Sequence, residues 1–507
     1  PKMPKDLRKN AIKAGKWTGF HSAYTFGYQF IRIWILTYFL GPEDFGLMAM
    51  AVVVISFSTM FANFGINSAI IQSKNLNPNK LSSLFWLNTL VAAAIYLILF
   101  ALAPLVASYY DEELVTTLIR VTALGFLISA PQSQFGSLLQ KNLRMDVLTK
   151  VYVIDSVFAL IIATIMAYLG YGVWALVASK LAGNLMSTIL MWRYAIINNW
   201  LPGFYFRLNE IRNEVSFGLY QLGSRSVNVL QDKSDQFIIG GVFSATVLGG
   251  YNVAYNLVLR PMQSISRVFQ KVAFPSYSIV QDNMNKLVNG IYKVLELQMF
   301  ILTPLLIGLA AVSDNFTELF LGDKWEGVSI IMQIFVFKAL FISFIWSGNS
   351  AILAKGKSNL TFRWNLLVLF MVLPVVAITA YFFNIEIVIF SLALLFFFFI
   401  FIHYFFFLRK VIPVQFSNYF STLFSPLTIS LVMGAVVYTL DIIISDTIFT
   451  VFTFIIQIVL GAVVYIILSI LFNRNSSLRV FGLVLEMTPV SFYRIIPMAI
   501  KRKLETS

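Results

Sequence analysis

Apolar runs of about 20 residues recur along the whole chain, separated by short polar connections, and a helix of that length spans the roughly 30 Å hydrocarbon core of a bilayer. Fourteen runs can be read, at residues 17–39, 45–70, 83–108, 115–138, 151–169, 172–193, 215–243, 247–267, 294–313, 327–350, 361–383, 385–408, 421–441 and 447–471. The pattern predicts an all-α polytopic membrane protein with about fourteen transmembrane helices.

Within the run at 215–243, Gln221, Arg225, Asn228, Asp232 and Asp235 fall at spacings of three, four and seven, which places them on one helical face. A charge at the centre of a spanning helix costs roughly 2.5–3.5 kcal/mol on insertion scales, so this stripe is expected to line water or protein. The first run carries the same stripe. Thr18, His21, Ser22, Thr25, Gln29 and Arg32 map, 203 positions on, to Gln221, Ser224, Arg225, Asn228, Asp232 and Asp235. At the same interval Gly46, Met48 and Ala51 map to Gly249, Tyr251 and Ala254. An internal duplication follows, and such repeats place a substrate site between the halves. The expected organisation is a cytoplasmic segment at 1–16, an N-lobe of six spans at 17–193 and a cytoplasmic linker at 194–214. A C-lobe of six spans at 215–408, two further spans at 409–472 and a cytoplasmic tail at 473–507 complete it. The two lobes surround a central cavity.

Composition agrees with the hydropathy pattern: 59% of the 507 residues are hydrophobic and only 12% charged. A net charge of +14 would suggest nucleic acid in a soluble domain. Here Lys and Arg concentrate in alternate connections, as at Lys141, Arg144 and Lys150, while the intervening ones are short and mostly acidic or neutral, as at Glu43 and Asp44. That is the positive-inside pattern, with both termini cytoplasmic and no nucleic-acid partner. The absence of cysteine excludes disulfides and thiolate metal chemistry. The first span is too long for a signal-peptide core and is expected to be retained. The tail after 473 is either a surface helix or a weakly ordered basic segment.

Five cations sit within spans: Arg32, Lys180, Arg225, Arg260 and Lys338. Arg32 and Lys180 lie at similar depth from the external surface. Together the five suit a polyanionic head group, because Arg and Lys bind diphosphate oxygens strongly in a low dielectric. Lys180 has snorkelling to the interface as a competing role. Asp232 and Asp235 either hold a coupling ion or neutralise Arg225 and Lys233. His21, Thr25, Gln29, Gln221 and Asn228 complete the polar lining. Gly15, Gly19, Gly218 and Gly223 either permit bending or serve helix packing. His403, in a Phe-rich run, is expected to be a helix-contact residue, and neither histidine reads as a metal ligand. No HExxH, GxSxG, Walker or GxGxxG context is present, so no catalytic residue, metal or cofactor is expected and the chain does not read as an enzyme.

With these residues in view, several segments resemble the Wzx-type polysaccharide transporters of the multidrug/oligosaccharidyl-lipid/polysaccharide flippase superfamily. They are LGPEDFGLMAMA (40–51), FGINSAIIQSK (64–74), LLQKNLRM (138–145), GYGVWALVASKLAG (170–183), GGYNVAYNLVLRP (249–261), VFQKVAFPSYS (268–278) and FLGDKW (320–325). The similarity is greatest to the colanic acid, amylovoran and teichuronic acid exporter branch. It implies a bacterial cytoplasmic-membrane flippase that moves an undecaprenyl-diphosphate-linked oligosaccharide to the outer leaflet by alternating access, with a proton or sodium ion as coupling partner and polymerase or export machinery as neighbours. The family offers no short shared ligand motif, so the candidate residues rest on helical face and depth. Two other readings stay open: a cation-coupled multidrug exporter of the same superfamily, and a non-transporting scaffold of a polysaccharide synthesis complex.

Overall fold

A computed structural model describes residues 5–62, 66–73, 76–444 and 450–472, with side chains described at 13–61, 67, 69–73, 76–216, 226–227, 229–444 and 450–472. The candidates Gln221, Arg225 and Asn228, the glycines Gly218 and Gly223, and the tail after 472 therefore lie outside the described side chains or residues.

Sixteen α-helices are found among the described residues, and no strand. In order they are α1 (Lys5–Phe39), α2 (Pro42–Ala62), α3 (Ile66–Gln72), α4 (Pro78–Tyr110), α5 (Leu114–Lys141), α6 (Met145–Tyr168), α7 (Val173–Ile197) and α8 (Arg212–Val242). There follow α9 (Ala245–Ile279), α10 (Met284–Ala311), α11 (Ser313–Phe320), α12 (Val328–Ala354), α13 (Ser358–Phe382), α14 (Ile385–His403), α15 (Phe416–Ile444) and α16 (Thr450–Phe472). Several start where the sequence supplies a cap. Asn77, Asn283 and Asn384 each accept a hydrogen bond from the backbone N–H three residues on, at 2.7, 3.1 and 3.2 Å, which satisfies an otherwise orphaned donor.

Each of the fourteen apolar runs lies on helix, but they are not equivalent. Eleven helices are long and apolar enough to cross a membrane by length and composition among the described residues, which makes this a multi-pass membrane protein. The other three runs fall on α1, α8 and α9, the helices that carry the polar stripe and Arg260. Within the run at 45–70 the described residues form α2 up to Ala62 and α3 from Ile66, and residues 63–65 lie outside the described residues.

The chain divides into two compact units, Pro1–Val253 with Asn365–Phe383, and Ala254–Trp364 with Asn384–Ser507. In the first, α4 packs on α5, α6 on α7, α5 on α7, α1 on α6, and α2 on α5 and α8. In the second, α10 packs on α12 and α15, α12 on α14, and α15 on α16. Helix boundaries also repeat at the interval seen in the sequence. α1 ends at Phe39 and α8 at Val242, and α2 begins at Pro42 and α9 at Ala245, each pair 203 residues apart.

The linker after α7 is built onto the start of α4 in the first unit. Ser82 Oγ accepts from Gly203 N at 2.8 Å, Ser83 Oγ from Arg207 N at 3.1 Å, and Trp86 Nε1 donates to Gly203 O at 3.0 Å. Tyr205 donates to Glu210, and that hydrogen bond pushes its phenol pKa up.

Candidate functional site

In the first unit the polar face of α1 turns toward α6. Arg32 lies seven residues before the end of α1 and Lys180 seven residues after the start of α7. At about 1.5 Å per residue both sit roughly 10 Å inside their helices, and their like charges act on one another. Both side chains are half-buried. His21 lies edge-on to Tyr152 at 4.5 Å between ring centroids, and Thr25 lies within hydrogen-bonding reach of the Tyr152 hydroxyl. Tyr24 stacks on Tyr28 at 5.9 Å, and its hydroxyl meets Ser156 Oγ at 2.9 Å. Gln29 is half-buried one turn before Arg32.

Asp155 joins this group from α6. It acts electrostatically on Tyr28 and Tyr152, as Arg32 does, and lies beside Ser187 of α7. Ser187 in turn donates to Gln132 Oε1 of α5 at 2.8 Å. Gly183 permits the approach of α7 to α6 at this level, since a Cβ there would stand 3.2 Å from Ala159 Cβ and 3.7 Å from Asp155 O. No salt bridge reaches Asp155 among the described residues. The tyrosines escaped the sequence reading because they count as apolar in a hydropathy window. Tyr28 nevertheless falls on the His21, Thr25, Arg32 face, and Tyr152 and Asp155 are one turn apart, so helical spacing would have found them.

The two acids of α8 part company. Asp232 is exposed, whereas Asp235 is 5% exposed. Asp235 Oδ2 accepts from the Tyr251 hydroxyl of α9 at 2.6 Å, and Oδ1 accepts from Gln236 N at 2.7 Å. Lys233 donates to Gln236 Oε1 at 2.9 Å.

In the second unit Lys338 is 5% exposed, with its ammonium over the rings of Phe335 at 5.5 Å and Phe396 at 5.9 Å. Cations held over aromatic faces in this way gain from the ring quadrupole. Arg260 is exposed on α9. His403 is buried against Trp364 at 4.9 Å and bonded through Nε2 to Asn349 Oδ1 at 3.1 Å. Among the described residues no group of three His, Cys, Asp or Glu is placed to hold a metal.

Cations, tyrosine hydroxyls and one carboxyl lie on neighbouring helices of a multi-pass membrane protein, a set of groups that can bind and neutralise an anion. The chain belongs to the polysaccharide biosynthesis protein family, which it matches over residues 35–330, more than half its length. It is similar to the lipopolysaccharide biosynthesis protein WzxC of Escherichia coli K12, 25% identical over 86% of this chain and 89% of that protein. It is also similar to the teichuronic acid biosynthesis protein TuaB of Bacillus subtilis 168, 28% identical over 72% of this chain and 75% of that one. Among solved structures the lipid II flippase MurJ in an inward closed conformation superposes with a TM-score of 0.72 at 15% identity, covering 92% of this chain and 99% of that one. The fold is the one MurJ shares with multidrug MATE transporters, an inward-facing example of which gives a TM-score of 0.58 at 12% identity over 81% of this chain and 94% of that one.

Proposed function

We propose that this protein is a flippase that moves an undecaprenyl-diphosphate-linked oligosaccharide from the cytoplasmic to the outer leaflet of the bacterial inner membrane by ion-coupled alternating access. The observation that carries the reading is the shared depth of Arg32 and Lys180, whose like charges act on one another, with Arg32 also acting on Tyr28 and Tyr152. Two cations about 10 Å inside their helices favour a bound anion, and a diphosphate supplies one. The names of the relatives place them in polysaccharide synthesis and that of the MurJ neighbour in lipid-linked precursor transport. The sugar and diphosphate travel in a hydrated cavity between two six-helix lobes related by the 203-residue repeat. In this reading the exposed Arg260 adds positive charge to it, whereas Lys338 is buried over Phe335 and Phe396 and Arg225 lies outside the described side chains. The polyprenyl tail stays in lipid, since exposing it would cost about 0.8 kcal/mol per CH₂. The acids available for coupling to a proton or sodium ion are Asp232 and Asp235 on α8 and Asp155 on α6.

The test is reconstitution in liposomes and measurement of how fast an undecaprenyl-diphosphate oligosaccharide becomes accessible to an external probe, with and without a proton or sodium gradient. Protein-dependent acceleration, lost in Arg32→Ala and Lys180→Ala, is the expected result. No acceleration, with efflux of cationic drugs instead, would replace this reading by that of a multidrug exporter.

A further inference from the structure

Along α9, Arg260, Arg267 and Lys271 stand at spacings of seven and four, so one exposed face of the helix carries a ladder of cations. At its lower end the second unit opens a cleft of about 320 Å³, lined by Arg267, Gln270, Lys271 and Phe274 of α9 and by Ser350 and Leu353 of α12. Arg267 is turned back along its own helix, with Nε donating to Gln263 O at 3.2 Å and a terminal nitrogen to Ser264 Oγ at 3.4 Å. A guanidinium has five N–H donors, so others are available to a ligand. Neither Arg267 nor Lys271 makes a salt bridge among the described residues, and Lys271 makes no hydrogen bond among them.

Depth gives the cleft its meaning. On the charge-based topology α9 begins at the external surface at Ala245. Arg267 and Lys271, 22 and 26 residues on, therefore lie about 33 and 39 Å below that surface. The hydrocarbon core is about 30 Å thick and the whole bilayer about 40–45 Å, so both cations fall near the cytoplasmic boundary of the membrane. Apolar side chains from both walls stand beside the cations, Phe274 of α9 and Leu353 of α12, and both are exposed.

We infer that this cleft is a cytoplasmic loading site for the diphosphate of a polyprenyl-linked carrier, held by Arg267 and Lys271 with the first isoprenes against Phe274 and Leu353. The inference rests on the flippase reading and names where its substrate is first captured. Two adjacent cations without an acidic partner match a diphosphate, with its several negative charges, better than the single charge of a phosphodiester. The volume lies at the small end of ligand pockets and admits a head group rather than a whole oligosaccharide, which would remain in water. Arg260, one to two turns closer to the midplane, is the next cation along the same face.

The purified full-length protein in neutral detergent is titrated calorimetrically with farnesyl diphosphate, inorganic diphosphate and farnesol, and with farnesyl diphosphate in the presence of phosphatidylglycerol. Farnesyl diphosphate is expected to bind at least tenfold more tightly than inorganic diphosphate and than farnesol. Arg267→Gln with Lys271→Gln should weaken it at least tenfold. The charge-preserving Arg267→Lys with Lys271→Arg should retain most of the affinity, and Lys324→Gln, on an exposed connection, should change nothing. The site is overturned by absent farnesyl diphosphate binding, or by undiminished affinity in the folded double glutamine variant. Equal binding of inorganic diphosphate would mark a free-phosphate site, and displacement by equimolar phosphatidylglycerol a bulk-lipid site; either overturns it too. Liposome translocation separates the two readings. A double glutamine variant that binds and translocates like the parent removes the cleft and leaves the flippase. A parent that translocates nothing, with farnesyl diphosphate binding still lost in that variant, removes the flippase and leaves the cleft.

Discussion

Gly46 and Gly249 occupy reciprocal positions where the first turns of α2 and α9 cross. A Cβ on Gly46 would lie 1.7 Å from the carbonyl oxygen of Ala245, and one on Gly249 would lie 1.8 Å from that of Pro42. Pro42 and Ala245 are themselves 203 residues apart, as are the two glycines, so the two contacts exchange under the sequence interval. This is the pattern of an isologous contact, in which each helix start offers the other the same surface. Because the obstructing atoms are backbone, no side chain can swing aside. Gly46→Ala and Gly249→Ala are each expected to cost at least the 1–3 kcal/mol typical of overpacking. Gly41→Ala, with nothing within 4 Å of the new methyl, should be silent. Thermal unfolding in detergent compares the three, and equal melting of all would contradict the crossing.

Tyr251 holds a carboxyl in place. Its hydroxyl bonds to the buried Asp235, and both residues sit within helices of the first unit. Tyr251→Phe preserves the ring and removes this bond, at an expected cost of about 1.5–3 kcal/mol for a hydrogen bond to a charged group. Lower thermal stability with unchanged translocation by the surviving folded protein is the expected pair of observations. A loss of translocation at full stability would instead place Asp235 in the transport step.

Which features the sequence discloses depends on how local their cause is. Spanning helices follow from apolar length, and the stripe from helical period, so the α1 and α8 faces are readable from His21, Thr25, Arg32, Asp232 and Asp235 alone. The similar depth of Arg32 and Lys180 is also readable, because equal distances from an external helix end imply equal depth. What these residues bond to is not local. Asp235 and Asp232 are one turn apart and look alike in sequence, but Asp235 is buried and accepts from Tyr251 of α9 whereas Asp232 is exposed. The equivalent positions in the first half are Arg32 and Met48, so the repeat carries the helices and not the pair. Asp155 and Tyr152 share a helical face one turn apart, but their span has no full stripe, and the packing of α6 on α1 and α7 shows what that face meets. Arg267 falls at the end of a run, where a basic residue reads as a positive-inside marker. The wall supplied by Ser350 and Leu353 is 80 residues away.

A second anchor lies where α8 begins. Lys80 Nζ and Ser73 Oγ donate to Glu214 Oε1 at 3.4 and 3.5 Å, and Oε2 of the same buried carboxylate has no partner among the described residues. Nearby, Lys141 donates to the carbonyls of Ile70 and Ser73, at 3.1 and 2.5 Å, and ties down the end of α3. Lys80→Ala strands the Glu214 charge and is expected to cost about 1–3 kcal/mol. Adding Glu214→Gln removes that charge, so the double variant should melt above the single one. A double variant less stable than Lys80→Ala would mean that Glu214 depends on other contacts.

The acids differ most in what a coupling ion would find. Asp235 already accepts two hydrogen bonds, and Asp232 is exposed. Asp155 is half-buried among tyrosines, has no salt bridge among the described residues, and acts on the same tyrosines as Arg32. A carboxyl inside a span is a candidate for ion coupling, and this one shares the tyrosines Tyr28 and Tyr152 with Arg32, where the diphosphate is proposed to bind. Asp155→Asn keeps the shape and the neighbouring Ser187 and removes the titratable charge. The expected outcome is translocation in liposomes that no longer responds to an imposed gradient, at least tenfold below the gradient-driven rate of the parent, with melting temperature preserved. Asp232→Asn and Asp235→Asn are expected to keep the gradient response, the latter at lower stability. If Asp155→Asn still responds fully and Asp232→Asn or Asp235→Asn does not, coupling belongs to α8 and the α6 carboxyl serves only to hold α6 against α7.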